Sequence, residues 1–409
     1  MKLTKSLKCT FTILLTLLCI NSQAHPRTSL GVDQLLTAKY IRLVEHKNIA
    51  IVANDASRDS YNRRDITLLH QNPHIHLVSI FTPEHGLNVN KNNSHIKDSY
   101  DSVTGLPVYS LYGKHRYPTS KELANTDVII FDLQSVGLRY YTYISTLAHV
   151  MKMAKRYHKE LIVLDRPNPL GGKIVYGPLL DSDYVGKFTS FYNVPMRYGM
   201  TIGEVARYYN RYNNQHVDLK VIPMKYWKRS MLFNQTGLTW NATSPALRHF
   251  NQAYLYAIFG PLESTRLSFG LGKESPEEYH LFGAPYITKQ QALHIAHRLQ
   301  GLHLPGLKFR YAYWRPVGGN YRHRWCRGFH VDITNYNKIH GFHTLVATLE
   351  ILHQELGNRL GIIGTDNMLG QRWVRRDIAN NTPVNTITKQ VRLEQTNYRT
   401  KRQHILIYQ

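Results

Sequence analysis

Glu84 has the setting that points most directly to chemistry. It lies in Thr82-Pro83-Glu84-His85-Gly86, directly after an apolar run, and the nearby glycine lets the backbone turn a side chain into a cleft. A carboxylic acid so placed can protonate a leaving oxygen. Hydrolysis of a glycosidic bond needs such an acid. It usually needs a second carboxylate as nucleophile or base, unless an acetamido group of the substrate serves instead. Three other apolar runs also end in polar clusters. One is followed by Asn54-Asp55. Another leads into Asp132-Leu133-Gln134, with Gly137 and Arg139 beyond. The last leads into Asp165-Arg166-Pro167-Asn168-Pro169. Turns and helix caps explain any one of these. Four on one rim imply a polar cleft.

The rim follows from the elements that must carry it. Ile49 to Ala53, Ile75 to Phe81, Val128 to Asp132, Leu161 to Asp165 and Leu219 to Pro223 are short, mostly β-branched runs, as expected of strands buried on both faces. Helical patterns alternate with them. Leu147, Val150, Met151 and Ala154 share one face, and Thr201 with Glu204 forms a capping box ahead of Val205, Ala206 and Tyr209. Alternation of this kind predicts an α/β fold with a doubly wound parallel sheet, whose ligands bind beyond the carboxyl ends of the strands. The second half is more mixed. Helices are expected after Thr288 and along Leu345, Leu349, Leu352 and Leu356, with strands near Phe309 to Tyr313 and Phe329 to Ile333. A boundary near residue 240 separates a Rossmann-like domain, 25–240, from a smaller α+β domain, 241–409, that completes the cleft.

Several chemistries are missing. No G-x-G-x-x-G follows the first strand, and there is no P-loop, no nucleophile elbow and no H-E-x-x-H. Gly270-Leu271-Gly272-Lys273 is glycine-rich but lies far from the first strand. The His74–His76 pair alone is weak evidence for a metal, and His323 lies between two arginines, so neither a metal nor a cofactor is expected. The formal charge is +24 and its basic residues are scattered. That favours anionic envelope polymers over nucleic acid, for which no module is visible.

The amino end reads as an export leader, 1–24. Lys2, Lys5 and Lys8 precede the apolar stretch Phe11 to Ile20, and Ser22-Gln23-Ala24 supplies a cleavage site. An uncleaved anchor and lipidation at Cys19 are the alternatives; Leu18 just before that cysteine disfavours the second. The expected location is periplasmic or secreted. Of three cysteines, Cys9 and Cys19 fall in the leader. Cys326 is then alone, without a disulfide partner, and is expected to be a buried small apolar residue.

Taken together, FTPEHG (81–86), GLPVYSLY (105–112), FDLQSVGLRYYTY (131–143), LDRPNPLGG (164–172), PMRYGMTIGE (195–204), LEST (262–265), GAP (283–285), GTD (364–366) and the closing HILIY (404–408) resemble the NamZ-type exo-β-N-acetylmuramidases, glycoside hydrolase family 171. The resemblance implies a Rossmann-like domain joined to a smaller α/β domain with the active site between them. It implies release of N-acetylmuramic acid from the non-reducing ends of peptidoglycan fragments. It marks Glu84 as the catalytic candidate and transfers family positions onto Asp165, Arg166 and Arg139. Glu263 or Asp132 is then the expected partner carboxylate. Asn54, His85 and Asn168 join the substrate-binding rim, and Arg139, Arg166 or Arg197 is expected to grip the lactyl carboxylate, which suits a guanidinium fork.

Departures from the family pattern cluster in expected cleft loops. Ser135 stands where an aspartate is usual, Tyr198 where a histidine is, Ser264 and Arg266 in place of glycine and asparagine, and Ala246 in place of asparagine. His280 lies near an expected glutamate in GKESPEEYHLF. They motivate a second reading, a relative that binds cell-wall sugar without cleaving it. A third reading is adhesion to anionic polymers through net charge alone.

Overall fold

The computed structural model describes residues 26–91, 95–113 and 115–409. The expected leader, with Cys9 and Cys19, lies outside the described residues.

Seven strands form the larger sheet: β1 (Asn48–Val52), β2 (His76–Thr82), β3 (Ser99–Tyr100), β4 (Pro107–Ser110), β5 (Val128–Phe131), β6 (Glu160–Leu164) and β7 (Leu219–Ile222). Their order is β3-β4-β2-β1-β5-β6-β7. Every pairing is parallel except that of the two-residue edge strand β3 with β4. Without β3, this is the order of dinucleotide-binding folds, and its switch point lies between β1 and β5. The glycine-rich phosphate turn is absent here, as Asn54-Asp55-Ala56-Ser57 follows β1 instead. All of Val128-Ile129-Ile130-Phe131 is buried, as helices on both faces demand.

Helix Tyr143–Arg156 connects β5 to β6 and buries Leu147, Val150, Met151 and Ala154. Helix Ile202–Tyr212 connects β6 to β7. Its cap is the one expected: Thr201 Oγ1 accepts from Glu204 N at 3.2 Å, and Glu204 Oε2 accepts from Thr201 N at 2.9 Å. The sequence did not reveal β4, which opens on a proline and spans four residues.

A second, antiparallel sheet has the order β8-β10-β9, with β8 (Leu281–Ala284), β9 (Leu307–Trp314) and β10 (Cys326–Ile333). Helix Lys289–Gly301 packs on β9 and β10 and against helix Gly341–Leu356. Cys326 is buried at the start of β10, and burial pushes its thiol up to about 11, so it is an inert core residue. The chain's end returns to the first sheet, where the Tyr408 hydroxyl donates to Asp165 Oδ2 at 2.6 Å and Ile407 N donates to Glu204 Oε1 at 2.8 Å. Among the described residues no helix is long and apolar enough to cross a membrane.

Candidate active site

The turn after β2 brings Glu84 to the carboxyl edge of the sheet. His85 holds φ at 75°, and its Nδ1 lies 3.0 Å from the Lys91 carbonyl. Glu84 Oε2 accepts from Thr142 Oγ1 at 2.6 Å, at the start of helix Tyr143–Arg156. The Tyr112 hydroxyl also bonds to this carboxyl. Burial, then that bond, raises the phenol to about 12, so Tyr112 stays a donor. Two hydroxyls from different loops thus fix one carboxyl.

Glu263 comes from the second part of the chain, on the turn Gly260–Ser264 that follows helix Phe250–Phe259. Tyr279 donates to Glu263 Oε1 at 2.6 Å. Burial raises the Glu263 carboxyl above its ordinary value; the Tyr279 bond and the Lys273 charge oppose that shift, and the Glu84 charge adds to it. The two carboxyls are therefore within electrostatic reach of one another. The Tyr256 ring feels both and lies 4.9 Å from the Tyr279 ring. Tyr141 and Tyr143 are also in range of Glu84.

A third carboxyl stands behind these two. Glu278 is buried, and desolvation lifts it to about 7 although Gly272 N donates to it at 3.2 Å. The exposed Lys273 acts electrostatically on Glu263, Glu278 and His85. Burial lowers the His85 pKa, which keeps the imidazole next to Glu84 neutral near neutral pH. Sequence reasoning passed over Tyr112, Thr142, Lys273, Glu278 and Tyr279. Tyr112 and Thr142 sit inside recognised motifs, so the motifs were the available signal.

Much of the expected rim turns inward. Asp132 is fully buried and pairs with Arg166 Nε at 2.5 Å; Arg166 also pairs with Asp65 and donates to the Arg58 carbonyl at 3.0 Å. This buried triad occupies the switch-point crevice, which removes Asp132 as partner carboxylate and Arg166 as a substrate fork. Arg139 is also fully buried. Its Nη1 donates to the carbonyls of Pro178 (2.6 Å) and Val194 (2.8 Å), and its Nη2 to those of Met368 (2.9 Å) and Leu369 (2.6 Å). Desolvation lowers this guanidinium to about 9. It ties the two parts of the chain together, and its one remaining donor, Nε, is buried and presents no fork to a substrate carboxylate. Arg197 is buried against the Tyr176 ring and donates to the Leu170 carbonyl.

Asp165 is a buried hub. It accepts from Thr201 Oγ1 (2.8 Å), Gly203 N (2.8 Å), Arg166 N (3.0 Å) and Tyr408, and desolvation lifts its carboxyl to about 7. Asn168 bonds the Met200 carbonyl at 2.8 Å and packs so tightly on Gly137, at φ 81°, that a Cβ there would lie 2.2 Å from its Oδ1. Asn54 is buried and donates to the Tyr143 hydroxyl at 2.8 Å. These residues build the walls of the site and do not line it. His74 and His76 do not converge either: they pair with Glu45 (3.2 Å) and Asn48 (2.7 Å).

Two departures prove to be one. The Ser135 Oγ and the Tyr198 hydroxyl lie 3.0 Å apart in the core, so a neutral pair stands where the resemblance leads one to expect an aspartate and a histidine.

Comparison with known proteins identifies the family. Residues 49–251 match the family described as exo-beta-N-acetylmuramidase NamZ, N-terminal, and residues 254–408 match its C-terminal counterpart. The peptidoglycan beta-N-acetylmuramidase NamZ of Bacillus subtilis (strain 168) is 35% identical over 387 residues, which is 94% of this chain and 92% of that protein. A crystal structure of a DUF1343 family protein from Bacteroides fragilis NCTC 9343 superposes with a TM-score of 0.83 at 30% identity, covering 94% of this chain and 99% of the other. A second protein from that organism, at 24% identity, shares the fold with a TM-score of 0.74 over 93% and 99% of the two chains. With both halves matched and a relative aligned along nearly its full length, this chain belongs to the NamZ exo-β-N-acetylmuramidase family.

Proposed function

We propose that the chain is an exo-acting glycoside hydrolase that releases N-acetylmuramic acid from the non-reducing ends of peptidoglycan fragments, with Glu84 and Glu263 as its working carboxyls. One observation carries the assignment of residues: carboxyls from two distant stretches of chain lie within electrostatic reach of one another, each held by a tyrosine or threonine hydroxyl. Glu84 protonates the glycosidic oxygen as the bond breaks. Glu263, or the acetamido group of the sugar, stabilises the positive charge developing at the anomeric carbon. Lys273, exposed and acting electrostatically on Glu263 and Glu278, supplies the charge for the lactyl carboxylate. The proposal includes export to the envelope, where this substrate is found; the basic and then apolar sequence at 1–24 supports it.

Substrate preference and the role of Glu84 are tested together. The purified protein should cleave a nitrophenyl N-acetyl-β-muramide and spare the matching glucosaminide. Glu84→Gln should lose about 10²- to 10⁴-fold on a natural muramyl disaccharide. It should lose less on the nitrophenyl substrate, whose leaving group needs little protonation. Full activity of Glu84→Gln on the disaccharide rules out the acid assignment. Tight sugar binding without turnover at any pH establishes the non-cleaving reading instead. The Ser135–Tyr198 bond weakens that reading, because it shows the two substitutions mutually satisfied inside the fold.

A further inference from the structure

Part of the smaller sheet carries a cluster that sugar hydrolysis does not use. His330 and Asp332 are two residues apart on β10 and so point to the same face. His280, just before β8, places its ring 5.4 Å from that of His330. Each of the three offers a ligand atom within 4.8 Å of the others.

The hydrogen bonds assign the protons. His330 Nε2 lies 2.9 Å from Glu277 Oε2, so that nitrogen is a donor. His330 Nδ1 is buried without a hydrogen-bond partner and faces Asp332 Oδ1 at 3.4 Å. A bare ring nitrogen and a carboxylate oxygen held this way need a cation between them, either a proton on the ring or a metal ion. Their separation also matches the edge of a tetrahedron whose bonds are about 2.0–2.1 Å, the length of zinc–nitrogen and zinc–oxygen bonds. His280 Nδ1 lies 2.9 Å from the Val331 carbonyl and donates to it, which leaves Nε2 as the ligand nitrogen. Asn251 Nδ2 donates to that Nε2 at 3.0 Å, a contact that metal binding would replace. A carboxylate behind one imidazole and a carbonyl behind the other is the outer arrangement that orients metal-binding histidines. The second oxygen of Asp332 lies 3.3 Å from Arg310 Nε.

We propose that His280, His330 and Asp332 bind a borderline divalent transition metal of the zinc class, leaving coordination positions for water. Glu277 couples this site to the cleft. It adjoins Glu278, whose carboxyl accepts from Gly272 N next to Lys273. The metal therefore holds the loop that presents Lys273 and Glu278. That coupling rests on the function proposed above, whereas the binding itself does not.

Calorimetric titration of the chelator-treated full chain with zinc chloride tests binding without any substrate. One zinc per chain is expected. Glu277→Gln should weaken affinity about 10- to 100-fold, and Asp332→Asn by at least about tenfold. His330→Gln should abolish uptake. The Asp332 side chain is 41% exposed, so Asp332→Asn remains informative if His330→Gln fails to fold. Wild-type protein without saturable one-to-one uptake, or with the same affinity as Asp332→Asn, overturns the proposal. It would leave His330 as an imidazolium bridging two carboxylates. Sugar hydrolysis measured on the same samples reports separately, so loss of one reading does not hide the other.

Discussion

Asp132→Asn separates a residue that does chemistry from one that holds the fold. In the wild type, Asp132 and Asp65 flank Arg166 in a site closed to solvent. Breaking a buried ion pair from one side costs about 3–5 kcal/mol. Two features pull the figure to the lower end. Arg166 keeps Asp65, and removing the Asp132 charge relieves a repulsion that, after desolvation, pushes the Asp65 carboxyl well up. The expected loss is about 3 kcal/mol. At about 2 cal/mol/K of unfolding entropy per residue, a chain of this length should lose roughly 4 °C from its thermal midpoint. Calorimetry measures that shift, and kcat on a muramide, taken well below the midpoint, should stay within about threefold of wild type because nothing facing Glu84 has moved. An unchanged midpoint with kcat down a hundredfold would refute the argument and return Asp132 to the reaction.

Glu278 titrates at 4.5 when unfolded and at about 7 when folded. Its contribution to stability is thus complete below the unfolded value and disappears as pH rises through about 7. The thermal midpoint of wild type should fall from about pH 5 to about pH 8 by more than that of Glu278→Gln; equal slopes would contradict the buried protonated acid. Lys273→Ala should raise KM for a muramide about 10- to 100-fold, the worth of one charged hydrogen bond, and leave slow hydrolysis of a glucosaminide unchanged. An equal effect on both sugars would place Lys273 away from the lactyl group. Ser135→Asp buries a carboxylate without its partner and should cost about 2 kcal/mol or more, while adding Tyr198→His should recover at least about 1 kcal/mol in denaturant unfolding. Strict additivity would show that the pair is not coupled.

The sequence made the parallel strands legible because burial on both faces demands unbroken apolar runs. Val128 to Phe131 reads as nothing else. It concealed β4, where Pro107 and the alternating Tyr109 and Ser110 look like a turn. The rim lay at the expected edge of the sheet, but strand ends say nothing about which way a side chain faces. Arg139 illustrates why: its four acceptors are carbonyls from residues 178, 194, 368 and 369, a set that only the folded backbone assembles. Glu278 was hidden for the opposite reason. Among Lys273, Glu274 and Glu277 it resembles part of a solvated charge run, yet it packs against Gly270 in the interior. Glu84 and Glu263 were candidates through motif and chemistry. The hydroxyls that hold them come from remote loops.

Because Tyr408 and Ile407 dock on Asp165 and Glu204, the amino-terminal half is not finished until residues 407 and 408 have been made. A fragment cut near residue 251 would leave both acids short of donors, so the two matched halves are not separable parts. During synthesis this knot of buried acids cannot close before residues 407 and 408 have left the ribosome. A bulky tag fused after Gln409, whose carbonyl accepts from Arg229 N, would press on the same closure.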